Sequence, residues 1–323
     1  MTSSSSMAMS LMAILRESLK IPLRNGKLML SIALFLLIPS SLLFLSNHFT
    51  LKPSLIDAFT KAYIVRNTDL EPPEYVELLE AIKKDVGIII SEETIFILAS
   101  CTISFFSTIA LIYAAAAAYC WEEIAPKELF VLIRRMWKRP ALTWSYVALF
   151  NLGYLFLGAS LIGVLVLFAG DPVLLIGLGG FGALFFVFMY LYLSVFWRIG
   201  LVVSVVEKDC YGMGAIWKAG ELMKGRKLQG FCLSLVLTLV ETVICVFLGF
   251  QMEGVGRTEA TRLGMGLALI SATGLVDLFA CVVYTVFYCD CKNGIGQKVE
   301  IEREEWAGYS LISTNCHVDT SIL

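Results

Sequence analysis

Three charged residues stand inside long apolar runs of this sequence: Arg198, Glu241 and Asp277. An isolated charge in hydrocarbon costs a few kcal/mol on insertion scales, so such residues face a bundle interior or a wet pathway and find partners there. Glu241 and Asp277 fall near the middle of consecutive apolar runs, so antiparallel helices bring them to similar depth. Arg198 lies about two helical turns from the end of its run and is close enough to snorkel. Two chemistries fit the set. One is an ion or proton site, or an Arg–carboxylate cluster that binds a polar ligand. The other is a structural polar network, with one carboxylate protonated in a low-dielectric setting.

A second stretch, EKDCYGMGAIWKAGELMKGRK at 207–227, joins two closely spaced glycines to a cluster of cations. Gly212-x-Gly214 is neither a dinucleotide fingerprint nor a P-loop, because no strand precedes it and Trp217 occupies the third-glycine place. Lys224, Arg226 and Lys227 beside Trp217 either contact anionic lipid headgroups or only fix the orientation of the span that follows. Cys210, Cys289 and Cys291 flank apolar runs and are candidates for S-palmitoylation. Cys289-x-Cys291 lacks the second pair that a zinc site needs. The two histidines, His48 and His317, fall on opposite sides of the membrane, which excludes His-rich metal boxes and argues against a His general base. No G-x-S-x-G elbow occurs. The expectation is a non-enzymatic chain with no catalytic residue, metal or cofactor.

The elements that must position these residues follow from composition. Of 323 residues, 58% are hydrophobic and 16% charged, against about 25% charged in an ordinary soluble domain. Six runs are long enough to cross roughly 30 Å of hydrocarbon: 28–46, 94–119, 143–168, 173–206, 228–250 and 264–288. The fold class is therefore all-α and polytopic. The net charge of -2 comes without a basic face, so nucleic acid is not an expected partner. Seventeen of the 25 Lys and Arg residues fall on the side of the N-terminus, seven on the other, and Arg198 is the remainder. That asymmetry places both termini in the cytosol.

This gives a cytosolic amphipathic segment at 1–27, a six-helix transmembrane domain at 28–290 and a flexible cytosolic tail at 291–323. The domain carries a lumenal loop at 47–93 and cytosolic loops at 120–142 and 207–227. In the lumenal loop, Pro72 and Pro73 start a short amphipathic helix, and Ser91 with Glu92 and Glu93 caps the second span. Apolar stripes before spans one, three and five mark interfacial helices: Leu129, Ile133, Met136 and Trp137 in one, Ala215, Ile216, Ala219, Leu222 and Met223 in another. Each precedes a pair of spans, a threefold repeat of helix plus hairpin. Span four is too long for one crossing, so either GLGG at 177–180 breaks it or it continues past Arg198 into a buried setting. No cysteine falls in a lumenal segment, so no disulfide framework is expected. In the tail, Tyr309 and Ile312 have the spacing of a tyrosine-based sorting signal.

The residues SVVEKDCYGMGAIWKAGELMKGR, with Gly212, Ala215, Ala219, Leu222 and Lys224-Gly225, resemble a plant family of uncharacterised six-span membrane proteins. More distantly they are similar to bacterial membrane domains of the type associated with glycerophosphodiester phosphodiesterases, in which a Ser commonly stands at the place of Ala219. The resemblance implies a six-span fold and no catalytic residue. The expected role is a scaffold, trafficking or lipid-organising component of the endomembrane system or plasma membrane. Its partners would be the bilayer, anionic headgroups and other membrane proteins. The alternative is a transporter or channel built on Arg198, Glu241 and Asp277.

Overall fold

Nine helices and no strands make up the described residues of this computed structural model, which are 2–67, 72–120, 125–168, 172–207, 209–252 and 258–294. They are α1 (Thr2–Arg24), α2 (Gly26–Asn67), α3 (Pro72–Tyr119), α4 (Pro126–Met136), α5 (Lys138–Phe168), α6 (Pro172–Val206), α7 (Met213–Leu222), α8 (Lys227–Met252) and α9 (Glu259–Gly294). Six of them, α2, α3, α5, α6, α8 and α9, are long and apolar enough to cross a membrane. In hydrocarbon a helix satisfies its own backbone groups, which is why continuous apolar runs settle into this form. A shorter helix followed by two of span length recurs three times in chain order, as the repeat predicts.

The chain divides into two compact units. The first comprises Met1–Ile32, Thr108–Val243 and Leu275–Leu323. Its core is built from the end of α3, the second half of α6, one face of α8 and the end of α9. The five alanines at 114–118 are all buried, as are Ile199, Val202, Val203, Leu233, Val283 and Phe287. Ile14, Ser18 and Ile21 give α1 a buried stripe at helical spacing, and the Ser18 hydroxyl donates to the Ile14 carbonyl. In α4 the buried residue is Leu129, whereas Trp137 is exposed just after the helix ends.

Helix α7 occurs where the sequence predicts a short helix, but its apolar stripe does not face an acyl boundary. Ala215, Ala219, Leu222 and Met223 are buried in protein, and α7 packs on α6. A Cβ added to Gly200 of α6 would stand 3.1 Å from the Ile216 Cα, so the two backbones cross almost in contact. Small residues on both helices permit this approach, and packing against protein replaces packing against lipid. Gly212 leads into α7 with φ +62, a conformation that L side chains rarely adopt. Its amide donates to the Thr143 hydroxyl of α5 at 2.7 Å.

Span four is one unbroken helix. Gly177 to Gly180 remain helical within α6, and the residues past Arg198 are buried, so the second of the two expectations holds. Helices α5 and α6 meet through Tyr154, which stacks on Phe186 at 3.9 Å and donates to its carbonyl.

The second unit comprises Ala33–Ser107 and Ile244–Gly274. Here the expected lumenal loop is corrected. Residues 47–67 continue α2 and residues 72–93 begin α3, with Pro39 and Pro53 inside α2. The prolines at 72 and 73 do start a helix, but it is the same helix that becomes span two. Ser91 is therefore no cap: its hydroxyl donates back to the Gly87 carbonyl one turn earlier. The two helices are tied by Lys61, which pairs with Asp85 at 2.6 Å, and by Asn47, which donates to Glu93. Gly266 faces the Phe44 ring so closely that a Cβ would clash.

Candidate functional site: a polar cavity at the edge of an apolar belt

On α6 the exposed apolar side chains run from Leu178 to Tyr190 and then stop. Among the described residues of this helix after Tyr190, Arg198 alone is exposed. It lies two turns past the end of the belt. Tyr190 and Trp197 meet edge to face at 5.9 Å there, and the Tyr190 hydroxyl donates to Asn151 of α5.

Arg198, Glu241 and Asp277 line a single cavity of about 210 Å3 between α6, α8 and α9. Helical spacing explains the convergence. Ser194 and Arg198 are one turn apart on α6; Ser234, Thr238 and Glu241 follow one face of α8; Asp277, Ala280 and Tyr284 follow one face of α9. An Arg198 nitrogen lies 3.9 Å from an Asp277 oxygen, a loose ion pair, and the guanidinium sits 5.4 Å over the Tyr284 ring. The Ser194 and Ser234 hydroxyls are 3.2 Å apart. Glu241 makes no hydrogen bond or ion pair with any described residue, although it feels the charges of Asp277 and Arg198. One guanidinium thus answers two carboxylates. The side chains of Arg198 and Asp277 are 44% and 57% exposed, so the cavity is open to the surface.

The residues expected by charge therefore meet, and hydroxyl groups that were not singled out complete the lining. Their signal was available: Ser194, Ser234, Thr238 and Tyr284 stand three, four or seven residues from the charged ones on the same helices.

Sequence reasoning missed a second cluster. Glu207, directly after α6, has an 11% exposed side chain and accepts from Tyr288 at 2.7 Å, Lys218 at 2.5 Å and Lys292 at 3.1 Å. Burial alone would raise its pKa, but the Lys218 and Tyr288 hydrogen bonds and the nearby Lys292 charge hold it below the usual carboxylate value. Lys218 is correspondingly raised, by its hydrogen bond to Glu207. This cluster joins α7 and α9 to the end of α6 through one carboxylate shared by two lysines and a tyrosine.

The candidate lipid contacts separate. Trp217 is 75% exposed. Lys224 is exposed and loosely paired with Glu221, and Lys227 lies over the Phe196 ring. Arg226 is held by protein instead: it pairs with Asp290, donates to Gln229 and covers the Phe287 ring. Of the palmitoylation candidates, Cys289 and Cys291 are buried in packed protein, out of reach of an acyl-transfer enzyme, whereas Cys210 is partly exposed. Cys101, Cys210, Cys232, Cys245, Cys281, Cys289 and Cys291 are free. Asp290 and Lys292 belong to α9, which runs to Gly294; Tyr309, Ile312 and His317 of the tail lie outside the described residues. His48 is a residue of α2, 3.7 Å from Glu259. No group of three or more metal-ligating side chains occurs among the described residues.

No curated protein and no solved structure matches this chain. The resemblances to a plant six-span family and to phosphodiesterase-associated membrane domains thus receive no support from these comparisons. A family model does match, over residues 4–307, and so takes in every helix and both polar clusters described above. By that match the chain belongs to the family described as Domain of unknown function (DUF8558).

Proposed function

We propose that this chain is a non-enzymatic, lipid-organising membrane protein that takes the polar head of an amphiphile into the Arg198–Glu241–Asp277 cavity. The observation that supports this reading is the position of the opening. A charged, hydroxyl-lined cavity opens where the exposed apolar belt of α6 ends, so the chain of a bound molecule lies along the belt while its head reaches Arg198. The cavity volume of about 210 Å3 is below the range of pockets that enclose a drug-sized ligand whole. It suits a head whose tail stays outside. In this reading both termini are cytosolic, the membrane is endomembrane or plasma membrane, and Trp217, Lys224 and Lys227 touch anionic headgroups. Kinship with the plant six-span proteins is part of the same proposal.

The test is native mass spectrometry of the full chain released from mild detergent. Wild type is expected to keep an amphiphile adduct, and the double variant Glu241→Gln, Asp277→Asn is expected to lose it about tenfold while its melting temperature stays within a few degrees. Equal adducts on both proteins would overturn the reading. A second reading, a proton or cation carrier, draws on the excess of carboxylate over guanidinium in the cavity. It predicts that the same two changes abolish ion flux in proteoliposomes.

A further inference from the structure

We infer that the amphiphile is cationic: a long-chain amine whose ammonium group sits between Glu241 and Asp277. The inference rests on the reading that the cavity takes an amphiphile's head, and it deepens that reading by naming the class. Arg198 is the only cation lining the cavity among the described residues, and it already leans on Asp277 and the Tyr284 ring. Glu241 has no such partner. An ionised Glu241 shares the single Arg198 charge with Asp277, and one positive charge brought by a ligand balances the second carboxylate.

Phosphate-bearing heads fit less well. A phosphate would enter beside two carboxylates with one shared guanidinium to hold it, and like charges at this range repel. An ammonium group carries three donors and no acceptor, which is what Glu241 and the free oxygen of Asp277 lack. The serine and threonine hydroxyls of the lining can donate to or accept from hydroxyl groups next to the amine. Exposed apolar side chains stand on the same helices, Val240 and Val243 on α8 and Leu275 on α9.

Binding of tritiated hexadecylamine to the full chain in phosphatidylcholine nanodiscs at pH 7 tests this. Binding should be saturable above empty nanodiscs. Unlabelled hexadecylamine should displace the label at least tenfold better than hexadecanol or hexadecyl phosphate, and Glu241→Gln should weaken binding by tenfold or more. If hexadecyl phosphate displaces as well as the amine does, the cationic class is wrong and the amphiphile reading survives. If butylamine displaces as well as hexadecylamine, the tail takes no part and the cavity is a site for soluble cations, which overturns both. Absence of saturable binding of the labelled amine removes the cationic class. The competition series uses the wild-type chain, so it stands even if Glu241→Gln does not fold.

Discussion

Glu207 is where single-residue energetics are most exposed to measurement. Gln at this position keeps an acceptor but removes the charge on which Lys218 and Lys292 converge. Breaking a buried pair by deleting one partner costs about 3 kcal/mol or more, because the other charges stay desolvated. Urea unfolding in detergent should show Glu207→Gln destabilised by about that amount. The pH dependence has a definite sign. The folded pKa lies below the ordinary 4.5, so this group's stabilisation is complete above 4.5 and is lost as the pH falls through the lower folded value. Lys218, raised above 10.5, behaves oppositely: its contribution is complete below 10.5 and is lost as the pH rises through the higher folded value. Melting of wild type should fall more steeply than that of Glu207→Gln as acid is added below pH 4.5. Sequence made Arg198, Glu241 and Asp277 legible, since a charge inside an apolar run has few explanations. It hid Glu207, because a carboxylate at the end of a span looks like any solvated boundary residue until Lys292, 85 positions away, is folded onto it.

At the scale of elements, the crossing of α6 and α7 is set by glycine and alanine. A Cβ on Gly200 meets the Ile216 backbone at 3.1 Å, and backbone gives way less readily than a side-chain tip. Gly200→Ala should lower stability by roughly 1–3 kcal/mol, the usual cost of overpacking. Gly220→Ala, whose new Cβ would find only the Phe196 ring at 3.8 Å, should change it little. Thermal unfolding of the two variants side by side checks the contrast. The existence of α7 was readable from its stripe. Its direction was not, since an apolar stripe at helical spacing looks the same whether it faces lipid or another helix. The Ile216 backbone against Gly200 decides the matter, and only the fold shows that the two are opposite. The same limit explains the lost loop at 47–93. Lys61 and Asp85, polar residues within that range, are the pair that ties two continuing helices.

For the whole molecule, the orientation proposed above has a direct check. Protease-accessible tags at the N-terminus, after Asn67 and at the C-terminus should leave the middle tag alone on the lumenal or outer face. A middle tag on the cytosolic face would reverse the topology. The lengths of α2 and α3 reach further. Their 42 and 48 residues rise about 63 and 72 Å at 1.5 Å per residue, against roughly 30 Å of hydrocarbon. Tilt cannot absorb the difference, since fitting 63 Å into 30 Å needs about 60° and observed tilts stop near 40°. Half of each helix, with the Lys61–Asp85 tie between them, must stand clear of the hydrocarbon. In imaging terms this matters for a chain of 35.7 kDa, which a detergent micelle would otherwise swallow. The part of the pair outside the hydrocarbon is the surface that an added antibody fragment can grip clear of the micelle.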